Sequence, residues 1–174
     1  MEKSLINIRP LEIEHLNNSN WLKWLSDSEV TKYQTLGYFP QNKSRQLDYL
    51  QSKLISDKDV LFAIEALLPN NEHAHIGNVG LHDIDFIHSR CILGIIIGEK
   101  EYRGKGVGKH SWEFITNHAF NMLNLHKIYA YIFEDNISSR KCASACGYIQ
   151  EAKLTDHYFR NGHYHNCIIY SKTS

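Results

Sequence analysis

The sequence has no excess charge of either sign, since nineteen Lys plus Arg balance nineteen Asp plus Glu in 174 residues. Nothing in that balance suggests a general nucleic-acid binder held by phosphate contacts, and eleven histidines add positive charge only as the pH falls. Long hydrophobic runs are lacking as well. The longest, around residues 92–97, is far short of the roughly 20 needed to cross a bilayer, so no spanning helix is expected. The start, Met1-Glu2-Lys3-Ser4, leads into alternation and Pro10 rather than the apolar core of a secretory signal, and the expected compartment is the cytoplasm. Cysteine is sparse: Cys91, Cys142, Cys146 and Cys167 include no CxxC pair and read as small reduced hydrophobes. Cys142 and Cys146, four apart, supply at most half a zinc site. No linker, repeat or low-complexity run divides the chain, and one domain over residues 1–174 is expected.

What is present reads as an alternation of strands and helices. Leu5-Ile6-Asn7-Ile8-Arg9 alternates as a strand should and Pro10 closes it. Trp21, Leu22, Trp24, Leu25 and Val30 fit one or two amphipathic helices, and Leu47, Leu50 and Leu54 place another over residues 46–55. Residues 60–67 and 76–81 flank the turn-like Pro69-Asn70-Asn71 and read as a hairpin. Cys91-Ile92-Leu93-Gly94-Ile95-Ile96-Ile97 is apolar at all but the glycine and predicts a central strand buried on both faces. A helix with Trp112, Ile115, Ala119 and Met122 on one stripe follows, then a strand over 127–133 and a helix over 136–146 with Asn136 as N-cap and Gly147 at C′. Two strands, near 148–154 and 164–171, flank Arg160-Asn161-Gly162-His163. The order predicts an α/β (α+β) fold with a mixed sheet of about seven strands and helices on both faces.

Between the central strand and the next helix lies Arg103-Gly104-Lys105-Gly106-Val107-Gly108-Lys109. Glycines let the backbone take positive φ and approach a ligand, and the first N–H groups of a helix have no internal partner. The macrodipole adds roughly half a positive charge there, and Arg103, Lys105 and Lys109 add whole ones, so the implied guest carries phosphate. Neither G-x-x-x-x-G-K-[ST] nor G-x-G-x-x-G is met, because Lys109 is followed by His110 and the residue three after Gly106 is Lys109.

Arg103, Gly106 and Gly108 fall at the motif positions of the [QR]-x-x-G-x-[GA] loop of the GNAT superfamily of acetyl-CoA-dependent N-acetyltransferases, which this sequence resembles. Residues 120–129, Asn136, Cys146-Gly147-Tyr148 and residues 159–164 look like the branch that holds spermidine, ribosomal-protein N-terminal and amino-sugar acetyltransferases. Ile8-Arg9-Pro10-Leu11 and residues 24–30 are similar too, so the resemblance covers the whole chain. It implies a sheet that splays at an acetyl-CoA notch. Ile95, Ile96 and Ile97 would offer backbone groups to pantetheine, residues 103–109 (Gly104, Lys105, Gly106, Val107 and Gly108 between Arg103 and Lys109) would hold the pyrophosphate, and Asn136 would bond the arm from the other side, near Ser139 and Cys142. It also implies direct attack of an amine on the thioester, no metal, and a homodimer.

Two positions depart from the branch. Its glutamate near the start of the central strand corresponds to Ile92, and its tyrosine on the later helix corresponds to Ala143. Substitutes are therefore sought in Ser139 as acid, with Cys142 behind it, and in His82 as base, with Glu65 and His163 as rivals; otherwise the thiolate leaves unaided. Ser139 also reads as a helix-surface serine, and His82 as a structural histidine. Asp83 and Asp85 read as loop carboxylates. His73-x-His75 and His163-x-His165 have metal-ligand character without a third partner and read as pairs facing a solvated side.

Residues 33–40 contain no carboxylate, which argues against a polyamine acceptor. They are aromatic and amide-rich, with Trp21 and Trp24 nearby, which suits stacking on a sugar or nucleobase unless Trp21, Trp24 and Phe39 are core anchors. The expected acceptor is thus a small primary amine, an amino sugar or nucleotide-linked amino sugar. Behind it stand the α-amino group of a protein, then an aminoglycoside or polyamine. A weakly catalytic acyl-CoA-binding module is the reading from another class.

Overall fold

A computed structural model describes residues 5–17, 20–35 and 38–174. Strand β1 (Ile6–Pro10) is followed by four helices, α1 (Ile13–Asn17), α2 (Trp21–Ser26), α3 (Ser28–Thr31) and α4 (Lys43–Leu54). Strands β2 (Val60–Leu67), β3 (His73–Asp85) and β4 (Arg90–Ile97) come next, then helix α5 (Val107–Asn117), which ends in a π-helical turn over 118–122. Strand β5 (Lys127–Phe133), helix α6 (Ile137–Ala145) and strands β6 (Ile149–Arg160) and β7 (His163–Thr173) complete the chain.

The strands form one seven-stranded sheet in the order β1-β2-β3-β4-β5-β7-β6. Every pairing is antiparallel except β4 with β5. That parallel ladder is short. It joins Arg90 to Lys127, Cys91 to Ile128 and Ile92 to Tyr129 and then stops, so residues 93–97 separate from the rest of β5. The gap changes the expected burial of β4: Cys91 and Leu93 are buried, whereas Ile92, Ile95, Ile96 and Ile97 are only half-buried because one flank of the strand lacks a neighbour.

Apolar faces on both sides of the sheet need covering, and two clusters do it. Val107, Trp112, Ile115 and Ala119 of α5 and Ala143 of α6 pack with Val79, Leu81, Leu93 and Ile128 on one face. Leu16, Trp21, Trp24, Leu25 and Leu50 from α1, α2 and α4 pack with Ala63, Leu61 and Ile96 on the other. Trp21 and Trp24 are 4% and 3% exposed, so they are core anchors and not stacking platforms; Phe39, at 68%, is not. Removing a side chain such as Leu50, which has no exposed surface, costs about 2–5 kcal/mol in comparable cores.

Among the described residues no helix is long and apolar enough to cross a membrane. All four cysteines are free; Cys91, Cys146 and Cys167 are buried and Cys142 is half-buried.

Candidate active site

Gly104 and Gly106 adopt φ of +72° and +86°, the left-handed region that side chains with a Cβ resist. Their bends let the chain leave β4 and start α5 abruptly at Gly106, its N-cap, where no side chain caps the helix. The N–H groups of Val107, Gly108 and Lys109 therefore face outward without intrahelical partners, at the positive end of an eleven-residue helix. Lys105 and Lys109 are exposed beside them, Lys109 lying 3.7 Å from Glu113. This geometry suits an anion, as the glycine pattern implies. Arg103 behaves differently. Its Nε donates to the Ile97 carbonyl at 3.0 Å and its Nη2 to the Gly98 carbonyl at 3.2 Å, so the guanidinium ties the turn to the end of β4.

The Ile95 carbonyl accepts from Gln34 Nε2 at 3.2 Å. Ile95 and Ile97 thus turn their backbone groups toward the gap, and Ile96, which alternates with them, turns its backbone toward β3 and lines the cavity described below. Across the gap, Asn136 caps α6 by accepting from Ser139 N–H at 3.2 Å, which occupies its carbonyl and leaves its amide N–H groups. Cys142 packs toward the first turn of α5, its sulfur 3.8 Å from where a Cβ on Gly108 would sit. Burial pushes the Cys142 thiol up to about 12, so it is protonated and no nucleophile. Ala143 is wholly buried, and no hydroxyl stands at that position.

On the opposite face, the gap opens into a cavity of about 830 Å³ walled by helices α2 and α4, the segment between α3 and α4, and strands β3, β4 and β5. Its lining is aromatic, with Trp21, Tyr33, Tyr38, Phe39, Tyr49, Tyr131, Phe133 and Tyr158, and its floor is Gly80, Gly94, Ile92 and Ile96. Arg160, at the tip of β6, holds one wall by donating to the Gln34 carbonyl at 3.0 Å and to Thr31 Oγ1 at 3.3 Å and by lying over the Tyr38 ring. Leu36 and Gly37 of the aromatic segment lie outside the described residues.

His82 lines this cavity. The rival bases do not. Glu65, 5% exposed in its side chain, is enclosed by Arg9 Nε at 3.0 Å, Asn7 at 3.1 Å and His15 at 3.3 Å. Burial alone would raise its pKa, but Arg9, Asn7 and His15 together outweigh it and hold the carboxyl below the usual range. It is a structural ion pair. His163 sits exposed at the start of β7, and Ser139 lies in the first turn of α6 on the α5 face, both outside the cavity lining. The reading of His73 and His75 as a solvated pair is corrected: His75 packs among the rings of His15, Trp21 and Trp24. Among the described residues no group of three or more His, Cys, Asp or Glu side chains could hold a metal.

An anion-binding helix start on one face, an aromatic cavity on the other and a split sheet between them is a geometry for passing one arm of a long phosphorylated donor through the gap to an acceptor. Residues 6–149 match the acetyltransferase (GNAT) domain family. The chain belongs to that family. It is an acyltransferase that takes acetyl from acetyl-CoA and transfers it to an amine. The spermidine N(1)-acetyltransferase of Escherichia coli K12 is 30% identical over 166 residues, 94% of this chain and 83% of that one. The spermidine N(1)-acetyltransferase of Vibrio cholerae is 32% identical over 126 residues, 72% of this chain and 70% of that one. A crystal structure of the V. cholerae spermidine N-acetyltransferase with CoA and spermine has the same fold, with a TM-score of 0.86 at 23% identity, over 98% of this chain and 96% of that one. These relatives match the polyamine alternative better than the expected amino sugar.

Asp59, one residue before β2, is the participant that sequence reasoning missed. Its side chain is 5% exposed and accepts from His82 Nδ1 at 2.9 Å, Lys53 Nζ at 2.7 Å and Ser56 Oγ at 2.8 Å. Burial by itself would raise the pKa of this carboxyl, but the three donors prevail and hold it below the ordinary carboxylate range.

Proposed function

We propose that the acceptor is the terminal primary amine of a linear polyamine, acetylated by direct attack in the cavity at the β4–β5 gap. The observation that carries this reading is the similarity over 94% of the chain to a spermidine N(1)-acetyltransferase. The aromatic walls support it, since an alkylammonium over an aromatic face gains about 0.5–2 kcal/mol. Acetyl-CoA lies with its pyrophosphate on residues 103–109 and its pantetheine arm along the gap, between the backbone of Ile95 and Ile97 and the amide of Asn136. The neutral amine attacks the thioester carbon, and a strand N–H near Ile97 stabilises the oxyanion. Holding the two reactants together supplies much of the rate, effective molarities reaching roughly 10⁵ M or more. Ser139 is the candidate donor to the departing thiolate.

One observation favours a second reading, an amino sugar or nucleotide-linked amino sugar. Arg45, Lys53, His82 and His157 line the cavity, against Asp83 as the one carboxylate among the described lining residues. That balance suits hydroxyls and an anionic group better than several ammonium charges.

Thiol release from acetyl-CoA, followed with spermidine, spermine and a panel of free and nucleotide-linked amino sugars, decides between them. A kcat/KM at least tenfold higher for the polyamines supports the first reading, and the reverse ranking supports the second. CoA binding without turnover on any acceptor would favour the acyl-CoA-binding module. Self-association belongs to the same proposal: a V. cholerae spermidine N-acetyltransferase forms a dodecamer, and light scattering on this chain tests for a dimer or larger assembly.

A further inference from the structure

An amine acceptor arrives protonated near neutral pH, so a group in the cavity must take its proton before the nitrogen can attack. The half-buried β4 residue beside the gap is Ile92, which cannot. Its register partner on β3 is His82, and partners in a ladder project to the same face. We propose that Asp59 and His82 form a base dyad, in which His82 Nε2 takes the proton of the acceptor ammonium and Asp59 is a positioning residue that holds the imidazole for it. The proposal rests on the reading of this site as an N-acetyltransferase.

The chain builds the dyad from both ends. The β3–β4 register breaks after His82, with Asp83 at φ +50°, and the Ile84 N–H then donates to the Lys58 carbonyl at 3.0 Å, which brings the bulge against the segment that carries Asp59. An ionised carboxylate can only accept, so the ring nitrogen 2.9 Å from Asp59 Oδ1, His82 Nδ1, carries the hydrogen. Nε2 is left with its lone pair, and it has no hydrogen-bond partner among the described residues. Its environment is kept open by two glycines: a Cβ on Gly94 would lie 3.1 Å from Nε2, and one on Gly80 3.5 Å from it. Ser56 Oγ holds the other oxygen, Oδ2, while Lys53 Nζ shares Oδ1 with the ring, so the carboxylate is fixed at both oxygens and stays turned toward His82.

In the step itself, Nε2 accepts one proton from R–NH₃⁺ and becomes the imidazolium that Asp59 stabilises. The freed lone pair forms the N–C bond to the acetyl carbon, the C–S bond breaks, the thiolate takes a proton from Ser139 Oγ to leave as CoA thiol, and the second nitrogen proton replaces it on the serine. The imidazolium then returns its proton to solvent, so that one proton is released per turnover.

The test compares His82→Gln and Asp59→Asn with the wild type, with acetyl-CoA affinity measured by calorimetry as a check on the fold. We expect kcat to fall about 100-fold for His82→Gln and somewhat less for Asp59→Asn, acetyl-CoA affinity to stay within twofold, and the His82→Gln defect to shrink when the acceptor is a weakly basic amine that arrives neutral. Nitrogen-15 correlation spectra of the free wild-type protein should show His82 protonated at Nδ1, and Asp59→Asn should lose that tautomer. Full activity of His82→Gln, or an Nε2-protonated ring in the wild type, overturns the dyad. A wild type that turns over no acceptor would instead overturn the N-acetyltransferase reading, while the tautomer measurement still judges the dyad's geometry.

Discussion

Ile92 and Tyr129 are the last residues to pair between β4 and β5, and beyond them the two strands part. The separation connects the α5 face, where the helix start and its lysines lie, with the aromatic cavity on the other face. On the proposed reading donor and acceptor meet at the gap, each held by different residues, and variants on the two sides are expected to have separable effects.

On the donor side, Gly106→Asp is expected to abolish measurable CoA binding. A Cβ there meets nothing within 4 Å, so the effect is not a clash. It comes chiefly from a carboxylate placed where, on the proposed reading, the phosphates lie; the φ of +86° adds only a small cost, since aspartate visits the left-handed region more readily than most residues. Gly106→Asn isolates the charge: asparagine tolerates the left-handed region as aspartate does but is neutral, so a loss of tenfold or less in affinity is expected. Calorimetry with CoA reads both, and retained tight binding by the aspartate variant would contradict the loop's role.

On the acceptor side, Gly94→Ala is expected to slow the reaction without harming the fold. The new methyl would sit 3.1 Å from both Cδ2 and Nε2 of His82, and a ring anchored at Nδ1 to Asp59 can yield only by tilting. Displacement of a reacting group by a few tenths of an ångström predicts a kcat about tenfold lower. Acetyl-CoA affinity should be unchanged and the melting temperature no lower, since alanine in a strand loses less entropy than glycine. An unchanged kcat would show that the imidazole's placement is not critical.

Strands with a regular pattern were legible in the sequence: β2 and β5 coincide with the expected 60–67 and 127–133. The end of β6 was not, because Thr155, Asp156 and His157 interrupt the alternation; the strand continues to Arg160 through a register shift between Leu154 and Tyr158, with Asp156 at φ +51°. The glycine turn was legible because positive φ and a helix start impose local residue choices. Asp59 was not, since it belongs to no motif and acquires its part only when β2, β3 and the end of α4 meet. His75 was misread for a related reason: its spacing from His73 describes one strand face, but its burial is set by Trp21 and Trp24, about fifty residues earlier.

Arg160 ties the far hairpin to the wall of the acceptor cavity through the Gln34 carbonyl, Thr31 Oγ1 and the Tyr38 ring. Charged hydrogen bonds of this kind contribute about 1.5–3 kcal/mol, part of which orders the wall. Arg160→Ala should raise the acceptor KM by about tenfold while leaving the acetyl-CoA affinity within twofold. If both constants move together, the arginine supports the whole fold rather than one wall.

His75, half-buried against Trp21 and Trp24, makes the stability of the fold sensitive to acid. Burial is the main cause that depresses its pKa to about 4, helped by repulsion from His15 and opposed by the hydrogen bond between Nε2 and Asn78 Oδ1 at 2.7 Å. An unfolded histidine titrates near 6.5, so between about pH 6.5 and 4 the unfolded chain binds a proton that the folded chain refuses. Stability contributed by the neutral ring is therefore complete above pH 6.5 and declines as the pH falls toward 4, by about 3 kcal/mol in all at 1.36 kcal/mol per pH unit. His75→Gln removes the titration, at the cost of some packing against Trp24 that is the same at every pH. Urea unfolding of both proteins at pH 7.5, 6, 5 and 4.5 should show the wild type losing its advantage over the variant as the pH falls. Parallel stability curves across that range would mean that the ring accepts its proton without disturbing the core.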